Sequence, residues 1–345
     1  MNLFFKNLKQ IFLKFRKTKR AYYSFLILGF LYLLSLTSPW TVSDKPFILN
    51  YENKTYFPFL FHYPETEFGG VYKTEPDYKK LIENAKAEHK EIFAVMPPIP
   101  HDPLKADLSL DGAPPFPPSF KHWLGTDANG RDTLARLIHG FRICMSFSLL
   151  LACLGTLLGV LIGGIQGYLG LKFDIFMQRF IEIWASLPFL YVVILIGSIY
   201  GRSFLLLIFI MTAFSWISLS YYMRAEFMKL KTMPYVQAAK MLGMPSYHIF
   251  FKEILPNALT PVVTLFPFSL IAGIGSLTSL DFLGFGLQPP TPSWGELMSQ
   301  GLNNLYASWI SVSTILALFF TLLLSTFIGE GIRDAMDPKS GDRYV

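Results

Sequence analysis

Six uncharged apolar runs, at residues 21–43, 143–171, 183–201, 203–223, 254–280 and 311–328, constrain this chain more than any other feature. A bilayer hydrocarbon core is about 30 Å thick and takes roughly 20 apolar residues to cross as a helix. Each run reaches or approaches that length. Because lipid offers no hydrogen bonds to backbone N–H and C=O groups, an apolar run in a bilayer must satisfy them internally, as a helix does. The chain is 52% apolar and only 16% charged, which a soluble protein of its length would not be. The expected fold is an all-α polytopic membrane protein with six transmembrane helices.

Charge placement orients it. Lys6, Lys9, Lys14, Arg16, Lys17, Lys19 and Arg20 precede the first run without one acid, which predicts a cytoplasmic N-terminus. Six spans then return the C-terminus to the cytoplasm. Lys172 and Arg179 fall on one inner loop, Arg224, Lys229, Lys231, Lys240 and Lys252 on another, and Arg333, Lys339 and Arg343 on the tail, whereas residues 281–311 hold no Lys or Arg. The net charge of +6 is therefore read as orienting, with no nucleic acid as partner. The first run is too long for a signal-peptide core and lacks an Ala-x-Ala site, so it is expected to be retained. Leu3, Phe4, Phe5, Leu8, Ile11, Phe12 and Phe15 recur at helical spacing, as in a segment lying on the inner membrane surface. Cys144 and Cys153 share one run and read as packed thiols.

The resulting division is a basic tail (1–20), a first transmembrane helix (21–43), a periplasmic insertion (44–142), a five-helix core (143–330) with a cytoplasmic loop at 224–256, and a tail (331–345). Within the insertion the pattern predicts strand-like pieces at Thr55–Phe61 and a helix over Asp77–Val95, followed by the proline-rich stretch 97–118. Its last part, containing Gly125, Thr126, Asp127, Gly130, Arg131, Asp132 and Arg136, leads into the membrane. Asp127, Asn129 and Gly130 predict a turn, and Leu134, Leu137, Ile138 and Phe141 one face of a helix. Two acids beside Arg131 and Arg136 read as ion pairs and caps in preference to a cation site. No metal is expected.

Several chemistries lack their residues. There is no Gly-x-x-x-x-Gly-Lys-Ser/Thr loop for nucleotide and no His-Glu-x-x-His, and no catalytic constellation is evident. Glu182, Asp281 and Glu330 lie at the edges of runs, whereas an ion-coupled carrier needs ionisable groups near the midplane. A membrane enzyme or stand-alone carrier stays the weaker alternative. Gly155, Gly159, Gly163, Gly164 and Gly167 form a small-residue ridge suited to close helix packing.

The polar break from Tyr235 to Asn257 separates two apolar runs on the inner side. Pro234 starts a helix there, Gly243 and Pro245 stop it, and Ser246 can cap a second helix carrying Ile249, Phe250 and Ile254 on one face. The small pair Ala238 and Ala239 would admit another protein's backbone. This predicts two short helices as a cytoplasmic dock, the rival being an amphipathic segment on the inner membrane face.

Gln237-Ala238-Ala239, Gly243 and Leu255-Pro256 resemble the "EAA" loop of permease subunits in binding-protein-dependent ATP-binding-cassette (ABC) importers, with glutamine in the glutamate position. Gly125 to Asp132 with Arg136 and Arg142, then Asp281 to Gly295, and Gly329 to Pro338 are similar to the C-type permease subunit of the peptide and nickel branch. Asp44-Lys45-Pro46, Tyr56-Phe57-Pro58 and Phe68-Gly69-Gly70 look most like the oligopeptide subgroup that takes up microcin C. The resemblance implies a type I importer fold in the bacterial inner membrane, and a non-catalytic subunit importing peptides or, alternatively, nickel or another small solute. Implied partners are a second homologous permease, two ATPase domains carrying the ATP and Mg²⁺, a periplasmic peptide-binding protein and the bilayer, with no cofactor on this chain. Tyr235, Gln237, Ala238, Ala239, Leu242, Gly243, Ile249, Phe250, Leu255 and Pro256 would couple to the ATPases. Asp281, Gly284, Gly286, Pro289, Pro290, Pro292 and Trp294 form either a rigid outer loop, with Trp294 at the bilayer interface, or a contact with the binding protein.

Overall fold

The computed structural model describes residues 11–336, so Leu3, Phe4, Phe5 and Leu8 of the basic tail, and Asp337, Pro338, Lys339 and Arg343 of the other, lie outside the described residues. The described residues divide into two compact units, one of residues 11–30, 144–288 and 318–336, the other of residues 31–143 and 289–317.

Helices dominate: α1 (Lys19–Leu36), α2 (Tyr78–Ala87), α3 (Thr133–Leu169), α4 (Leu171–Ala185), α5 (Phe189–Tyr200), α6 (Phe204–Leu230), α7 (Pro234–Met241), α8 (Thr260–Phe282), α9 (Trp294–Asn303) and α10 (Ser308–Met336). Among the described residues, α3, α6, α8 and α10 are long and apolar enough to cross a membrane, and α4 with α5 would supply a fifth span if that bent pair is one. The run expected to cross at 183–201 is not one continuous helix. The chain bends by 70° between α4 and α5, where Pro188 cannot donate a helical hydrogen bond. Helix α1 has 18 residues and opens on Lys19 and Arg20, which leaves it short of a full apolar span.

In the first unit the glycine ridge of α3 lies against α6. A Cβ on Gly163 would stand 2.3 Å from the Ser220 carbonyl, and one on Gly167 2.5 Å from the Arg224 carbonyl. Those positions therefore require glycine, because the backbones approach too closely for any side chain. The expected ridge is present, and it continues through Gly155, where a Cβ would meet the Ser215 hydroxyl at 2.4 Å.

In the second unit, β1 (Ile48–Tyr51) is the centre of an antiparallel sheet with β2 (Lys54–Tyr56) and β3 (Ile92–Val95) at its edges. Leu49 and Tyr51 face a small core with Phe68, Tyr78 and Ala85. Asp77 caps α2 by accepting from the Lys79 and Lys80 backbone N–H groups. The helix expected to run to Val95 ends at Ala87, with His89 at a positive φ of 56°, and Ile92–Val95 joins the sheet instead. β-Branched and aromatic residues there fit a pleated surface better than a helix. The strand expected over 55–61 is confined to Lys54–Tyr56.

Candidate functional site

The element between α6 and α8 begins at Pro234, in the first turn of α7, where its missing N–H is not needed. Gly243 adopts φ +73° and ends the helix as a left-handed residue. Pro245, and not the Ser246 side chain, then precedes the next helical turn, Ser246–His248. That turn passes into a π-helical stretch, Ile249–Ile254, in which the Leu255 N–H reaches back to the Phe250 carbonyl. Pro256 supplies the cause: it lacks an N–H and its ring crowds the turn before it, so a wider turn takes up the misfit and the helix continues to Ala258.

The faces of this element are sorted differently from the sequence reading. Ile249, Phe250 and Ile254 are buried, and with Val236 and Ala239 they pack on Met223 and Phe227 of α6 and Val160 of α3. Burying a side chain of this size stabilises by about 2 kcal/mol, so these residues fasten the element to the helices. They are therefore unavailable to a partner, and only one of the two alanines, Ala238, is exposed. Met241, Leu242, Tyr247 and Phe251 are more than half exposed, and Tyr235 is 40% exposed. Sequence reasoning named only Tyr235 and Leu242 of these. Periodicity marks an apolar face without saying which neighbour it meets.

Polar groups complete the anchorage. Gln237 Nε2 donates to the Lys231 carbonyl at 2.7 Å, closing the end of α6. Lys231 Nζ donates to the Gly167 and Tyr168 carbonyls at 3.1 and 3.3 Å, where a cation suits a helix C-terminus. Arg224 makes a two-pronged bond to Asp174 of α4, at 2.5 and 2.6 Å. The sequence reading did not single out Asp174. Leu255 and Pro256 are partly buried in the same anchorage.

Also within this unit, a cavity of about 520 Å³ opens between α3, α5, α6 and α8. Thr156, Ser215, Ser218, Ser269 and Ser276 give its wall hydroxyls, Phe189, Phe214 and Phe268 give it aromatic faces, and no charged side chain lines it. Such a wall hydrogen-bonds neutral polar groups such as amides and has no fixed charge with which to select by sign.

Asp281 is buried at the end of α8 and accepts from the Leu287 N–H at 2.6 Å. A Cβ on Gly286 would collide with its carboxylate, and Gly284 has φ +78°. This acid folds its own loop.

In the second unit the motif around Asp127 forms a buried ion network. Asp127 Oδ1 accepts from the Asn129 and Arg131 N–H groups, both at 2.9 Å, making the expected turn. Its Oδ2 takes Arg131 Nε at 2.8 Å and lies 3.3 Å from Arg136 Nε. Both arginines reach Glu296 of α9, at 2.9 and 2.5 Å. Burial would lower the Arg131 guanidinium, but Asp127 and Glu296 outweigh it and hold it charged, above its usual range. Thr126 accepts from the Phe116 N–H with its hydroxyl and from the Trp309 indole with its carbonyl. A Cβ on Gly125, at φ +67°, would stand 2.7 Å from the Phe116 carbonyl. Gly130 supplies the left-handed corner at φ +76°.

Pro289 and Pro290 are exposed and Pro292 is buried. Trp294, expected at a bilayer interface, is instead 3% exposed: its indole donates to the Leu137 carbonyl at 3.0 Å and its ring stacks on Phe141. The glycine at 140 allows this approach, since a Cβ there would lie 2.8 Å from the indole.

Long apolar helices thus surround a cavity without charged lining, and a segment with exposed apolar side chains is fastened to two of them, an arrangement of the membrane-permease class. The chain belongs to the family described as "Binding-protein-dependent transport system inner membrane component", which matches residues 155–341. It is 41% identical over 326 residues to "Inner membrane ABC transporter permease protein YejE" of Escherichia coli K12, covering 94% of this chain and 95% of that one. It is 37% identical to "Peptidoglycan transport system permease protein YejE" of Agrobacterium fabrum, covering 94% and 91%. The "Dipeptide transport system permease protein DppC" of Bacillus subtilis is 33% identical over 72% of this chain and 78% of its own length. This is an inner-membrane ABC permease.

Proposed function

We propose that the chain is one of two homologous permease subunits of an ATP-driven importer for peptides or peptide-like compounds. The single observation that carries this is the exposure of the apolar side chains Met241, Leu242, Tyr247 and Phe251 on an element whose Val236, Ala239, Ile249, Phe250 and Ile254 are buried against α3 and α6. Exposed apolar groups on a rigidly held element suit a partner that pushes on it. ATP and Mg²⁺ would sit on two partner ATPase domains, and this chain would bind no nucleotide and catalyse nothing. Their closure would tilt α3 and α6 through the anchorage of Lys231, Gln237 and Arg224. Substrate, handed over by a periplasmic binding protein, would pass the hydroxyl-lined cavity, whose lack of charge suits peptides of either sign. The names of the relatives, which include dipeptide and peptidoglycan transport, favour peptide-like cargo. In this reading α1 is the first of six spans, α4–α5 is one bent span, and both termini are cytoplasmic. The test is Leu242→Asp and Phe251→Asp. Both should abolish peptide-dependent growth and ATPase co-purification while leaving the protein in the membrane at normal amount; normal uptake in both would sink the docking role.

A further inference from the structure

The second unit holds a cluster that the transport reading does not use. His101, His122 and Asp132 come from separate parts of the chain, all three are buried, and each can offer a ligand atom within 4.8 Å of the others. Their outer contacts are already those of a metal site. His101 Nε2 lies 2.8 Å from the Lys121 carbonyl, to which it can only donate, so its Nδ1 is the unprotonated nitrogen and can act as an acceptor or a ligand. His122 Nε2 lies 3.1 Å from Asp107 Oδ2, the carboxylate–histidine arrangement that orients a metal-bound ring. Asp132 Oδ1 accepts from the Ala135 N–H at 2.7 Å, leaving Oδ2, which lies 2.8 Å from His122 Nδ1. The atoms that face one another at the centre are two imidazole Nδ1 atoms and one carboxylate oxygen, with His122 Nδ1 now paired to Asp132 Oδ2.

A cation already stands in this place. Lys79 Nζ lies 3.0 Å from His101 Nδ1, on the flexible side chain of a residue in α2. A cavity of about 270 Å³, lined by Lys79, His101, Asp107, His122 and Asp132, gives access from outside.

We propose that this cluster binds one divalent first-row transition metal of the Zn²⁺ type through His101 Nδ1, His122 Nδ1 and Asp132 Oδ2, with the Lys79 ammonium swinging out as the ion enters. Two nitrogens and one oxygen suit such an ion, and its coordination is completed by water from the cavity. Ligand atoms at the usual Zn²⁺ distances of about 2.0–2.2 Å are closer together than 4.8 Å, so the rings close on the ion by side-chain rotation. The bound ion would pin residues 101 and 122 to the start of α3.

The experiment uses the full chain, purified in detergent, stripped with chelator and titrated with Zn²⁺ against a chromophoric competitor. A parallel titration with Co²⁺ is followed by visible absorption. About one equivalent of tightly held Zn²⁺ and a nitrogen-ligated Co²⁺ band are expected. His101→Phe and His122→Asn should each remove that equivalent, and Asp107→Asn should weaken binding by about 10–100-fold. Lys79→Met should tighten it by about tenfold, an effect that a purely structural cluster would not produce. Circular dichroism and monodisperse elution check that each variant is folded. Equal Zn²⁺ uptake by wild type and the folded His101→Phe protein would overturn the proposal, as would unchanged affinity in Lys79→Met.

Discussion

Arg136 has a fully buried side chain, with Glu296 and Asp127 as its charge partners and the Pro103 carbonyl accepting at 2.9 Å. A buried charge is tolerated only while its partners neutralise it, and removing one side strands the other. Arg136→Met should therefore cost about 3–5 kcal/mol, read as a large fall in the thermal unfolding midpoint in detergent. Arg136→Lys should rescue only part of this, because an ammonium lacks the guanidinium fork that bonds two partners at once. Gln237→Leu is milder. It strands the Lys231 carbonyl at the end of α6, and about 1 kcal/mol should be lost, measured the same way.

At the scale of elements, α3 and α6 are held together by absence of side chains. Gly163→Ala places a methyl 2.3 Å from a backbone carbonyl that has nowhere to go, whereas Gly275 on α8 has open space where its Cβ would be. Gly163→Ala should reduce stability by about 1–3 kcal/mol or prevent assembly, and Gly275→Ala should leave the melting midpoint unchanged. Equal midpoints for the two would show that the ridge is not a packing seam. The inner element obeys a related logic. Val236, Ala239, Ile249 and Ile254 hold it down, so its exposed residues are fixed to the helices. That is why acidic substitutions belong at Leu242 and Phe251, not at Ala239, where an acid would break the core instead of the dock.

Over the whole molecule, the transport reading assigns the segment before α3 and the α7 element to opposite sides of the membrane. Leu108 is 83% exposed and Met241 88% exposed, so each can carry a reporter thiol. In a background with Cys144 and Cys153 replaced, a membrane-impermeant maleimide should label Leu108→Cys in spheroplasts and Met241→Cys only in inverted vesicles. Labelling of both from one side would remove the six-span topology. Residues 289–317 belong to the same compact unit as residues 31–143, so the outer loop and the insertion should protect each other from proteolysis.

Hydropathy alone marked four of the spanning helices, because the cost of exposing backbone in lipid is a local property of each run. It also marked the glycine ridge and the turn at Asp127, whose partners Asn129 and Arg131 lie within four residues. Other features depend on which distant group arrives: the bend at Pro188, the burial of Trp294 under Phe141, and the turning of Ile249 and Phe250 inward while Met241 and Phe251 face out. The juxtaposition of His101, His122 and Asp132 is of the same kind. The sequence by itself determined that this chain lives in a membrane as helices and that a polar segment of short helices interrupts its apolar runs after α6, since periodicity, charge and proline or glycine placement act over a few residues. Only the tertiary structure decided which face of that segment is free and which buried charges meet, because burial and pairing are set by packing between segments far apart in the chain.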